Sequence, residues 1–134
     1  MIIEASPDLK LRSLWLVIGY LLIALVTYQS LTSNPIDMGL HFFNVDKLYH
    51  ALAYFTLMFW FALIYHSKFQ RYLIAVVFVV MGCFFELLQS FNVNRYAEFA
   101  DMIANFSGVV LGFTVTLTKA KDTLVKIEGI VYKR

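Results

Sequence analysis

The stretch DKLYHALAYFTLMFWFALIY, residues 46–65, decides the architecture. From Leu48 to Tyr65 it holds no Asp, Glu, Lys or Arg, and an apolar run of about 18–20 residues is long enough to cross a bilayer core as a helix. Its entry is different. Asp46 and Lys47 open it, and His50 follows within the first turn. Ionisable groups beside a membrane span cost free energy unless something polar receives them. The pattern therefore sets two questions, where the helix lies and what its entry residues face.

Working outward, three further runs of this kind occupy residues 14–31, 72–91 and 102–118. The whole chain is 60% hydrophobic and 15% charged, against about 45–50% and 25% in soluble domains. Its mean hydropathy is +0.71. A domain of 134 residues leaves too much surface in water to hide that excess. The expected class is all-α, a four-transmembrane-helix antiparallel bundle forming a single integral membrane domain over residues 1–134. Pro35 and Gly39 break the chain after the first run, and HSKFQR and NVNRYAEFAD supply the other two connections. Lys10 and Arg12 precede the first run like the basic end of a signal peptide. That run is long, however, and no small-x-small site follows it, so it is expected to remain a span.

Lysine and arginine are unevenly shared between the two sides of such a bundle. Lys10, Arg12, Lys68, Arg71, Lys119, Lys121, Lys126, Lys133 and Arg134 fall on one side, Lys47 and Arg95 on the other. The positive-inside rule then places both termini in the cytoplasm. The basic tail, residues 119–134, is expected to be solvated against anionic lipid. The net charge is only +2 and no free basic patch stands apart from the hydrophobic ends, so membrane lipids and not nucleic acid are the expected partners. Cys83 is the one cysteine, inside an apolar run, and reads as a buried, inert thiol with no disulfide.

With that topology the polar residues collect on the outer side. Lys47, His50 and Tyr54 share one face of the second span at i, i+3 and i+7. Glu86 and Gln89 close the third span, Arg95 follows in the loop, and Asp101 and Asn105 open the fourth. Each also has a plainer reading. Asp46 and Asp101 could cap helices, Lys47 could snorkel to headgroups, and Asn105 could bond helix to helix. Tyr54 reads as core or interface, and Trp15 and Trp60 as interfacial or core aromatics. Ala100, Ala104, Gly108, Gly112 and Thr116 form a small-residue strip suited to close helix approach. Glu86 and His50 fit the plain account less well. A carboxylate at a helix C-terminus and a histidine in a first turn each meet the end of the helix dipole that opposes its charge.

These elements together resemble the VanZ-like family of small bacterial membrane proteins. The family pattern is Asp-Lys-x-x-His with a following Tyr, then Glu-x-x-Gln, then Arg-x5-Asp-x3-Asn-x2-Gly. Here it falls on Asp46, Lys47, His50 and Tyr54, on Glu86 and Gln89, and on Arg95, Asp101, Asn105 and Gly108. Asn94 stands where a proline is expected before the arginine, which puts the bend of that loop in doubt. The resemblance implies an inner-membrane protein of a family one of whose members is associated with resistance to teicoplanin, a glycopeptide acting on outer-face cell-wall precursors.

Three functions follow as expectations. In the first, an outer pocket binds a lipid-linked cell-envelope precursor or a glycopeptide-type amphiphile through Lys47, Tyr54, Gln89, Arg95, Asp101 and Asn105. In the second, the chain is an intramembrane hydrolase or transferase with Glu86 as general base and His50 as proton partner. In the third, the cluster only ties together a structural or assembly subunit. No cofactor is expected. A metal held by His50, Glu86 and Asp101 is conceivable, but no His-Glu-x-x-His helix or cysteine pair announces one.

Overall fold

The computed structural model describes residues 9–133, so Arg134 of the basic flank lies outside the described residues. These form five α-helices and one 3-10 turn, with no strand among them. α1 is Arg12–Leu31, α2 Val45–Ile64, α3 Lys68–Gln89, α4 Phe99–Val115 and α5 Thr123–Val131, with the 3-10 turn Lys119–Asp122 between the last two. By length and composition α1, α2 and α3 can each cross a membrane, and a fourth span is reached if α4 and the segment after it count as one.

Burial supports the same reading. α1 buries only Gly19 and turns Val17, Leu21 and Leu25 outward. Such a helix would aggregate in water, but hydrocarbon accepts it at no cost, because its backbone polar groups are satisfied within the helix. α2 is the central helix and buries Tyr54, Leu57, Met58 and the run Phe61 to Ile64. α1 meets it through Gly19, where a β-carbon would stand 2.9 Å from the Phe61 ring, and through the Trp60 indole, which donates to the Trp15 carbonyl at 2.9 Å.

Contact between α2 and α4 is the closest in the molecule. A β-carbon on Gly108 would stand 2.2 Å from the Ala51 carbonyl oxygen, and one on Gly112 would stand 2.9 Å from Met58 Cβ. The small-residue strip thus works as packing from Ala104 onward, whereas Ala100 is exposed. Gly82 does the same for α3, where a β-carbon would stand 3.2 Å from the Asn105 amide nitrogen and 3.3 Å from the Tyr54 ring.

Three expectations are corrected here. α3 starts at Lys68, inside the expected connection, and Arg71 is buried, its guanidinium donating to the Thr116 carbonyl at 2.5 Å. A helix continues past its apolar run when a buried carbonyl can receive the cation. Secondly, residues 119–133 are not a free solvated tail. The chain bends by 78° between α4 and the following helical segment, and α5 buries Leu124 and Glu128. The Glu128 carboxylate accepts from the backbone N–H of Lys10 (2.6 Å) and Leu11 (2.9 Å) and from the Trp15 indole (2.7 Å). It thereby satisfies donors that the start of α1 leaves open. Lys10 also lies over the Tyr132 ring, 4.6 Å from its centre. Thirdly, Cys83 is exposed, because it faces away from the neighbouring helices.

Candidate functional site

The close approach of α2 and α4 also sets their register. Residues pair in ascending order along both helices, Lys47 with Asp101, His50 with Asn105 and Ala51 with Gly108. α3 brings Glu86 to the same level from its last turn. Parts of the chain distant in sequence thus place ionisable side chains within one small volume.

Lys47 is its hub. Its ammonium lies 2.6 Å from carboxylate oxygens of Asp46, Glu98 and Asp101 alike. Asp46 therefore pairs with its neighbour and makes no cap bond; the N-cap of α2 is Asn44, in the left-handed region at φ 61°. Asp101 does not cap α4 either. It is 5% exposed and lies between Lys47 and His50. Glu98 was not expected from the sequence, where it reads as one more loop charge; its position just before the apolar start of α4 was the available signal.

His50 stands between two carboxylates. Its Nδ1 is 3.7 Å from Glu86 Oε1 and 3.0 Å from the Asn105 amide oxygen, and its Nε2 is 3.6 Å from Asp101 Oδ2. Glu86 is 1% exposed and neither of its oxygens has a hydrogen-bond partner among the described residues. Ligand atoms of His50, Glu86 and Asp101 lie within 4.8 Å of one another, and a second trio, Asp46, Glu98 and Asp101, does the same nearer the surface.

The remaining expected residues divide. Tyr54 is buried against Gly82, and its hydroxyl has no partner among the described residues. Gln89 is turned to α1, where its amide donates to the Ser30 carbonyl at 2.8 Å. It fastens α3 to α1 and does not join the Lys47 cluster. Arg95 forms none of the described ion pairs and lines a cavity of about 610 Å³ between α1 and α2. The cavity wall is apolar along Leu22, Val26, Ala53 and Leu57, while Asp46, His50 and Arg95 stand at its polar part. The loop carrying Arg95 bends without the expected proline. The Asn92 side chain accepts from Asn94 N–H at 3.0 Å, its carbonyl accepts from Arg95 N–H at 3.1 Å, and its amide reaches Ser33 at 3.2 Å. An asparagine that bonds two residues ahead makes a turn by itself.

Long apolar helices with an ionisable cluster at one end define a small helical membrane protein. The chain belongs to the VanZ/LLP1 family, whose model matches residues 6–120. No curated protein and no solved structure was found to match it.

Proposed function

We propose that this protein binds an anionic amphiphile of the lipid-linked cell-envelope-precursor class at the outer face of a bacterial inner membrane. One observation carries the reading, the two-part cavity of about 610 Å³ with an apolar wall and Arg95 at its polar part. Sites of this size suit small ligands held by apolar walls and a few polar groups. An acyl or polyprenyl chain fits against Leu22, Val26 and Leu57, and a phosphate fits the Arg95 guanidinium, which can donate two parallel hydrogen bonds. Lys47 was expected to share that task, but three carboxylates already surround it. Its part is to fix the entry of α2 against α4. A cavity of this volume takes a head group and a length of chain, not a whole glycopeptide, so a role in teicoplanin resistance would run through the precursor.

The deciding experiment is a titration of purified protein in detergent with polyprenyl phosphate. Arg95→Ala is expected to weaken binding at least tenfold, with Arg95→Lys retaining part of it. Equal affinity in wild type and Arg95→Ala would overturn the reading. The proposed topology is an antiparallel bundle with both termini cytoplasmic, supported by the lysine and arginine bias. In a Cys83→Ser background, an impermeant maleimide should label Ser33→Cys on intact cells and leave Lys121→Cys unlabelled. Labelling at the second position would reverse the orientation.

A second reading is favoured by the pairing of His50 with Glu86, whose oxygens have no hydrogen-bond partner among the described residues. Glu86 would then act as general base on water or a hydroxyl of the bound lipid, with His50 moving the proton. Full turnover of a polyprenyl substrate by Glu86→Gln would exclude it. The structural-subunit reading predicts instead that Glu86→Ala reduces folded protein and that wild type binds no lipid in the titration.

A further inference from the structure

Carboxylates at this end of the molecule outnumber the cations that meet them. Asp46, Glu98 and Asp101 share one ammonium, and no lysine or arginine among the described residues pairs with Glu86. A buried carboxylate without a hydrogen bond is among the least tolerable groups in a protein interior unless it is neutralised, paired or bound to a metal. The nearest basic group to Glu86 is the imidazole of His50, with Nδ1 3.7 Å from Oε1. The same ring presents Nε2 to Asp101 at 3.6 Å. The Asn105 amide oxygen, 3.0 Å from Nδ1, accepts the Nδ1–H, which leaves Nε2 as the nitrogen with a lone pair on the Asp101 side.

We propose that His50, Glu86 and Asp101 bind one divalent transition-metal ion. One ligand atom from each lies within 4.8 Å of the others. Ligands at about 2.0–2.2 Å from a shared ion stand about 3.0–3.5 Å apart, so Nε2 and Asp101 Oδ2, at 3.6 Å, close by a few tenths of an ångström, while the Glu86 side chain swings inward by up to about 1.5 Å from within 4.8 Å. The donor set of one imidazole and two carboxylates favours a borderline ion over Ca²⁺ or Mg²⁺. Glu86 and Asp101 are 1% and 5% exposed, which separates this trio from an ordinary solvated acidic cluster. Asn105 has the position of an outer partner that orients a metal-ligating histidine. The three ligands come from α2, α3 and α4, so no local motif could reveal them.

The inference does not need the cavity to hold a lipid, and its test contains none, so either can fail alone. Chelator-stripped protein in detergent is titrated with Zn²⁺ at pH 7 by calorimetry, and bound metal is counted by mass spectrometry. One Zn²⁺ per chain is expected, with binding at least tenfold weaker in His50→Ala and in Glu86→Gln, and also weaker in Asn105→Ala. No saturable binding by wild type, or binding unchanged in both ligand variants, overturns the proposal. Should the variants fail to fold, X-ray absorption of the wild-type complex decides. A shell of oxygens and one imidazole supports the site; sulfur from Cys83, or more than one imidazole from His41, His50 and His66, contradicts it.

Discussion

Gly108 of α4 lies against the backbone of Ala51 in α2 so closely that a single added carbon would stand 2.2 Å from the Ala51 carbonyl oxygen. That contact is with backbone, which cannot swing aside as a flexible side chain can. It also fixes the register that sets Lys47 beside Asp101 and His50 beside Asn105. Packing deep between two helices thus determines the electrostatics at their ends.

Gly108→Val should therefore force α2 and α4 apart and cost at least about 1–3 kcal/mol, the usual range for overpacking. Denaturation in mixed detergent micelles measures it. A variant as stable as wild type would mean that the helices are not in close contact there.

Lys47 and Asp101 should behave as a coupled pair. Removing Lys47 alone leaves the largely buried Asp101 without its cation, which costs about 3–5 kcal/mol when such a pair is broken. Lys47→Met combined with Asp101→Asn should be less harmful than the separate losses added together. A double-mutant cycle in the same micelles should show about 1–3 kcal/mol of coupling. Strict additivity would separate the two residues.

Glu128 makes stability depend on pH in a defined direction. Burial pushes its carboxyl pKa up, but the Trp15 indole, the backbone N–H groups of Leu11 and Lys10 and the Lys10 charge together hold it below the usual value of 4.5. A group with a depressed folded pKa adds stability above its unfolded pKa and loses it as pH falls through the folded value. Glu128→Ala should thus cost about 1–2 kcal/mol at pH 7, the scale of a lost helix cap. The gap between variant and wild type should close below pH 4.5 and not above it. Unfolding curves at a series of pH values give the answer, and a gap independent of pH would remove Glu128 from this role.

The cavity can be closed without touching its ionisable groups. Ala53→Phe projects a ring from α2 into the apolar wall. It should weaken polyprenyl phosphate binding about tenfold while leaving Zn²⁺ binding near the wild-type level. Loss of both would show that the two sites, which share His50, are not occupied independently.

Much of this architecture is legible in the order of the residues, because a bilayer demands long uninterrupted apolar helices and the cluster residues interrupt them at regular places. The limits are equally physical. Hydropathy ended the third run at Tyr72, yet α3 begins at Lys68, since a buried carbonyl takes the Arg71 guanidinium. A uniformly apolar span carries no contrast between lipid and protein faces, so Cys83 reads as buried and is exposed. Glu128 was overlooked because four lysines and an arginine after residue 118 resemble a solvated tail. Leu124 and Glu128, four apart, were the faint sign of a docked helix face. The turning of Gln89 toward Ser30 depends on a contact between elements distant in sequence that no local pattern encodes, and Glu98 is signalled only by its place just before the apolar start of α4.

α2, α3 and α4 carry His50, Glu86 and Asp101 to one place. Magic-angle-spinning NMR of the protein in lipid bilayers, with labelled histidine nitrogens and labelled side-chain carboxyl carbons, tests it most directly. Cross-peaks from the His50 ring nitrogens to the carboxyl carbons of both Glu86 and Asp101 are predicted, given nitrogen–oxygen separations of 3.7 and 3.6 Å. Their absence in well-folded protein, with the sequential backbone correlations of α2, α3 and α4 intact, would contradict it.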